Sequence, residues 1–170
     1  PIVMKPINEG SSLGVYICKN EIQFNLNFRK LKKNYDRVLI EEYIPGKEIQ
    51  VAVMGNKALG AIELVPKRAF YDYKAKYSVK AETKHIMPAP IEKKKYNEVL
   101  NLAKKAHKIL GCRGITRSDF RFHNNKFYLL ETNTQPGMTK LSLVPEIANY
   151  CNIKFEDLVE WIAKDASNNR

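Results

Sequence analysis

The sequence predicts an α+β protein with mainly antiparallel strands. Short apolar-rich runs are broken by tight turns at Pro45-Gly46, Gly55-Asn56 and His123–Lys126, which is how hairpins read. Between residues 92 and 110, Val99, Leu102, Ala103, Ala106, Ile109 and Leu110 recur at helical spacing. Phe155, Leu158, Val159 and Ile162 repeat that spacing near the C terminus.

The elements follow in order. Ile2–Met4 reads as a strand end, Asn8–Gly14 as a Gly/Ser loop, and Val15–Cys18 as the returning strand. Glu21–Asn34 reads as a helix with Ile22, Leu26 and Leu31 turned inward. Arg37–Ile44 is a strand that ends at Pro45-Gly46. Glu48–Met54 follows with Ile49, Val51 and Val53 alternating, and Lys57–Val65 returns after Gly55-Asn56. Phe70–Glu82 has no clean period and reads as a long functional loop. Thr83–Met87 is a short strand, and Glu92–Leu110 is the longest helix, closed by Gly111. The Arg117–Asn133 hairpin comes next, then a short helix at Pro145–Tyr150 and a last one at Phe155–Asp165, where Trp161 is a packing residue. The natural division lies near Glu41. Residues 1–40 form a small lobe and residues 41–170 a larger one.

Composition narrows the function. A hydrophobic content of 44% and a charged content of 28% describe a globular chain, and no run of 18 apolar residues spans a membrane. The opening P-I-V-M-K-P has neither an initiator Met nor a basic region before an apolar core. It reads as a fragment entering mid-strand, without a signal peptide. Cys18, Cys112 and Cys151 are distant from one another and lack CxxC spacing, which suits reduced thiols in a cytoplasmic protein. Net charge is +11, but the basic residues are scattered. Their only run, Lys93-Lys94-Lys95, opens a helix as a solvated face does, so nucleic acid is not the expected partner. His85, His107 and His123 are isolated and show no metal-ligand spacing.

The richest stretch is Arg117–Met138. On a strand, residues two apart share a face, so Arg117 and Asp119 point together, as do Glu131 and Asn133. Folding about His123-Asn124-Asn125-Lys126 brings Asp119 opposite residue 130 or 131, depending on the loop. Two carboxylates and an amide oxygen then gather on one patch. That is unfavourable unless a cation lies among them, and oxygen-only ligands suit magnesium rather than zinc. Arg117 adds a fixed cation suited to phosphate oxygens. The plain alternative is an exposed hairpin with ordinary surface charges.

Three weaker features accompany it. Lys5-Pro6 leads into Asn8-Glu9-Gly10-Ser11-Ser12-Leu13-Gly14, whose glycines and hydroxyls can approach phosphate, although the order matches neither G-x-x-x-x-G-K-[ST] nor G-x-G-x-x-G. Glu41-Glu42-Tyr43-Ile44 and Glu48 flank the Pro-Gly turn, where carboxylates can accept from an adenine amino group or ribose hydroxyls. Lys74, Lys76 and Tyr77 make an aromatic–basic loop able to close over a phosphate and exclude water.

Taken in order, K-P-I-N-E-G-S-S-L-G (5–14), E-E-Y-I-P-G-K-E-I (41–49), F-Y-D-Y-K-A-K-Y (70–77), G-C-R-G-I-T-R-S-D-F (111–120) and L-L-E-T-N-T-Q-P-G-M-T (129–139), with S-L-V-P (142–145), resemble the D-alanine–D-alanine ligase family of ATP-grasp enzymes. The resemblance covers essentially the whole chain. It implies an ATP-grasp fold, with nucleotide held between two α+β lobes and the small lobe truncated. Lys5 would then contact the ATP phosphates, and Ser11 and Ser12 would serve phosphate and substrate. Glu41, Glu42 and Ile44 would face the adenine, and Glu48 the ribose. Lys76 and Tyr77 would sit over the γ-phosphate and the substrate. Asp119, Glu131 and Asn133 would hold two magnesium ions, with manganese able to substitute. Arg117 would steady the transferring phosphoryl group and the tetrahedral intermediate. Gly137, Ser142 and Leu143 would line the second D-alanine site. The chain departs from the family in Glu42, where Lys is frequent, and in Gln135, where Ser is common.

The implied activity is ATP-dependent joining of two D-alanines through a D-alanyl phosphate, for peptidoglycan precursors in the cytoplasm. The implied partners are two D-alanines, the missing N-terminal domain of the same protein, and a second copy in a homodimer. Nucleic acid and membrane are not among them. Residues 1–170 alone are expected to make no dipeptide. Two other readings stay open: a D-alanine–D-lactate ligase, and a non-catalytic basic module that binds nucleotide or nucleic acid.

Overall fold

The computed structural model describes residues 1–10, 12–66, 83–139 and 141–166. It divides into two compact units, one containing Pro1–Ile44 and the other containing Pro45–Val65 and Lys84–Arg170.

The first unit is a three-stranded antiparallel sheet in the order β2-β1-β3, made by β1 (Ile2–Pro6), β2 (Tyr16–Cys18) and β3 (Val38–Glu42). Helix α1 (Glu21–Lys32) starts at Asn20, whose side chain accepts from the Gln23 N–H at 2.9 Å, while Gln23 Oε1 accepts from the Lys19 N–H at 2.9 Å. Met4, Cys18 and Leu31 form the core, with Phe24 and Phe28 stacked at 5.6 Å against it. The helix has two apolar stripes. The expected one is overturned at Ile22 and Leu26, which are 80% and 55% exposed. Phe24, Phe28 and Leu31, at i, i+4 and i+7, face the sheet instead because two rings bury more apolar surface than two aliphatic chains.

The second unit is a five-stranded antiparallel sheet in the order β6-β5-β4-β7-β8. Its strands are β4 (Lys47–Met54), β5 (Lys57–Val65), β6 (Lys84–Ile86), β7 (Ile115–His123) and β8 (Lys126–Asn133). Helix α2 (Lys93–Ile109) covers one face through Val99 and Ala103, which pack on Ile49, Val51, Val53, Ala61 and Phe120. β4 is flanked on both sides, and the stretch from Ile49 to Val53 is entirely buried, not only its alternate residues. Helices α3 (Leu143–Tyr150) and α4 (Phe155–Asp165) complete the unit, with Val144, Ile147, Ala148 and Leu158 fully buried.

Four expected core positions, two at the end of α2 and two in α4, are corrected. Ile109 and Leu110 are exposed, because α2 ends there and its last buried position is taken by His107, whose Nδ1 lies 2.8 Å from Thr116 Oγ1. Phe155 and Val159 are exposed as well, since α4 turns in Leu158 with partial cover from Trp161 and Ile162. The cysteines are free thiols. Among the described residues no helix is long and apolar enough to cross a membrane.

Candidate functional site

The hairpin β7–β8 turns at Asn124 and Asn125, both with positive φ (47° and 61°), as a two-residue turn matched to strand twist requires. Pairing begins at His123↔Lys126 and runs to Phe120↔Leu129. A β-bulge follows between Asp119 and Phe120, after which Asp119 faces Glu131 and Arg117 faces Asn133. All four side chains therefore lie on one face. On the other face Ser118 Oγ and Thr132 Oγ1 meet at 3.0 Å and tie the strands beside the bulge.

Arg117 grips Asp119 in a bidentate pair, with Nε donating to Oδ1 at 2.7 Å and a terminal nitrogen donating to Oδ2 at 2.9 Å. The Arg117 side chain is 13% exposed and that of Asp119 7%, so the pair is screened little by solvent. Asn133 Oδ1 accepts from the Gln135 N–H at 3.1 Å, which sets the chain's course into Pro136-Gly137.

β4 extends this face. Its Gln50 pairs with Asp119, Ala52 with Arg117, and Glu48 with Arg121. Arg121 reaches Glu48 at 3.6 Å and donates to the Gly46 carbonyl at 2.7 Å, so one guanidinium fixes both the turn and the carboxylate. Gln50 Nε2 donates to Glu48 Oε1 at 3.3 Å. Arg121 and Gln50 are site residues that the sequence reading passed over. Arg121 was legible, lying two residues beyond Asp119 on the same strand face. Gln50 was not, since a polar residue in an alternating strand reads as solvent-facing.

The donor set fits a hard divalent cation. Two carboxylates stand directly opposite, an arrangement that is destabilising without positive charge between or beside them. An amide oxygen shares their face, and no His or Cys joins them. Among the described residues no three or more His, Cys, Asp or Glu cluster to hold an ion. A cation here would therefore draw on Asp119, Glu131 and the Asn133 amide.

Other expected residues fall in separate places. In the first unit, Lys5 pairs with Glu41 at 2.7 Å, and Glu42 is exposed at the end of β3. Ser12 has φ 61°, and its carbonyl accepts from the Val15 N–H at 3.4 Å. Ile44 is half-buried. In the second unit, Ser142 precedes α3. Its Oγ accepts from the Thr139 N–H at 3.0 Å, and a Cβ on Gly137 would come within 2.8 Å of it, so a larger residue there would displace that hydroxyl. Leu143 is buried in the first turn of α3. Ser11, Lys76 and Tyr77, with the whole of the stretch 70–82 expected to form a loop, lie outside the described residues.

Residues 1–164 match the family model described as D-ala D-ala ligase C-terminus. Over 171 residues the chain is 62% identical to a D-alanine--D-alanine ligase of Pelagibacter ubique (strain HTCC1062), covering 100% of this chain and 55% of that protein. Its structure is similar to that of a D-alanine--D-alanine ligase from Bacillus anthracis, at a TM-score of 0.84 and 30% identity, over 97% of this chain and 54% of that one. A ligase from the same organism complexed with ATP matches at a TM-score of 0.80 and 26% identity, over 97% of this chain and 52% of that one. The chain spans about half the length of the relatives it matches. The neighbours have the ATP-grasp fold, and the antiparallel α+β architecture expected from the sequence agrees with it.

Proposed function

We propose, for a chain that belongs to the D-ala D-ala ligase C-terminus family, that the whole protein joins two D-alanines at the expense of ATP. The observation that carries this reading is the Arg117–Asp119 pair facing Glu131 and Asn133 across β7–β8. In the reaction, the carboxylate of one D-alanine attacks the γ-phosphorus of ATP, giving D-alanyl phosphate and ADP. The amine of a second D-alanine attacks the acyl carbon, phosphate leaves, and the dipeptide forms.

The protein's part is positioning and charge neutralisation. Asp119, Glu131 and Asn133 would hold magnesium, which would supply neutralisation of phosphate charge. Arg117, already oriented by Asp119, keeps donors directed at the phosphoryl oxygens. Lys5 meets the phosphates from the end of β1, just ahead of the Gly/Ser loop, and Glu48, fixed by Arg121, accepts from ribose. Gly137 gives the close approach needed at the second amino-acid site beside Ser142 and Leu143. Three free thiols and a need for ATP suit the cytoplasm.

The complete protein, given Mg2+, ATP and D-alanine, is expected to release ADP and phosphate in step with D-alanyl-D-alanine, followed by coupled ADP detection and chromatography of the product. ADP release that ignores D-alanine, or that occurs without dipeptide, would end this reading. Supplying D-lactate as second substrate tests for the ester-forming alternative in the same assay.

A further inference from the structure

Among the described residues, one buried side-chain polar atom lacks a hydrogen-bond partner, and it is Gln50 Oε1. Gln50 is fully buried on β4. Asp119 is its cross-strand partner on β7, and Glu131 is the partner of Asp119 on β8. Gln50, Asp119 and Glu131 therefore form one row across three strands, on one face of the sheet.

The orientation of the carboxamide is dictated by its neighbour. Nε2 donates to the Glu48 carboxylate at 3.3 Å, and reversing the amide would set its oxygen against that carboxylate. The oxygen is thus the end left unmatched. A buried acceptor without a donor is unfavourable, and native folds keep such groups rarely. An apolar residue would fill the space at less cost, so the carboxamide calls for another reason. A neutral oxygen beside Asp119 adds negative potential to the row. A third carboxylate there would add repulsion from both Glu48 and Asp119.

We infer that Gln50 is a positioning residue of the divalent-cation site. Its amide nitrogen holds Glu48, and its carboxamide oxygen, in line with Asp119 and Glu131, strengthens their hold on the cation. The inference rests on reading that row as a cation site, and it does not require D-alanine to be the substrate.

The test uses the complete protein and Mn2+ as probe, with ATP present, read by the electron paramagnetic resonance of free Mn2+ and by thermal unfolding without metal. Gln50→Met is expected to weaken Mn2+ binding roughly tenfold, as loss of partners around a metal site does. Its unfolding temperature in metal-free buffer should be unchanged or higher, since an unmatched buried acceptor is gone. Unchanged Mn2+ affinity with a lowered unfolding temperature would overturn the inference, because that is what packing alone predicts. Should Gln50→Met fail to fold, Gln50→Leu decides. It should likewise weaken Mn2+ binding, and wild-type affinity overturns the inference. Weakened Mn2+ binding in Gln50→Met, from a wild type that makes no dipeptide, supports this inference while ending the ligase reading. Dipeptide synthesis with identical Mn2+ affinity in the two proteins ends this inference alone.

Discussion

Asp119 stands directly opposite Glu131 on the adjacent strand, and a β-bulge next to Asp119 puts it there. Counted back from His123↔Lys126 without the bulge, Asp119 would face Leu130, and Glu131 would fall on the other side of the sheet. One extra residue in β8 thus decides whether the two carboxylates meet. Arg117 makes the meeting tolerable by neutralising Asp119 from the same strand.

The turn leading into β4 is held as firmly as the bulge. Gly46 has φ 99°, and a Cβ there would come within 2.3 Å of the Phe122 carbonyl oxygen. Gly46→Ala is expected to cost about 2–4 kcal/mol in urea unfolding, from a strained φ together with a backbone clash. A change below about 0.5 kcal/mol would show that the turn adapts freely.

The faces of α1 give a paired prediction. Leu31→Ala should cost about 2–4 kcal/mol, because it opens a cavity at the centre of the first unit's core. Ile22→Gln should change stability by no more than about 0.5 kcal/mol, since that side chain is 80% exposed. Equal losses in the two variants would mean that Ile22 is covered in solution.

His107 gives the pH dependence. Burial pushes its pKa below the ordinary value, and a backbone hydrogen bond at Cys112 opposes that only in part. The unfolded chain binds the proton more readily than the folded one, so the neutral ring's contribution is fully present above about pH 6.5 and is lost as pH falls through the lowered folded value. Chemical unfolding at stepped pH should show this acid-side loss, and His107→Gln should flatten it. An unaltered profile in that variant would assign the dependence to other groups.

The sequence made much of this legible, for reasons that differ by element. The hairpin could be read because two asparagines between apolar runs accept positive φ, and the Arg117/Asp119 and Glu131/Asn133 faces followed from strand alternation. The choice between residues 130 and 131 could not be read, because a bulge leaves no mark on local composition. α1 offered two apolar stripes, and only the tertiary context of β1 and β2 selects Phe24, Phe28 and Leu31. The burial of Gln50 could not be read because alternation says nothing of whether a strand is central, and β4, flanked by β5 and β7, is buried on both faces.

The most direct measurement is D-alanine-dependent ADP release by the complete protein carrying Asp119→Asn or Glu131→Gln. Each variant is expected to unfold cooperatively on heating yet to turn over at least about 100-fold more slowly than wild type, the usual effect of removing one charge-stabilising group from an active site. Turnover at the wild-type rate by either variant would contradict the account, because these carboxylates would then hold no ion that the reaction needs.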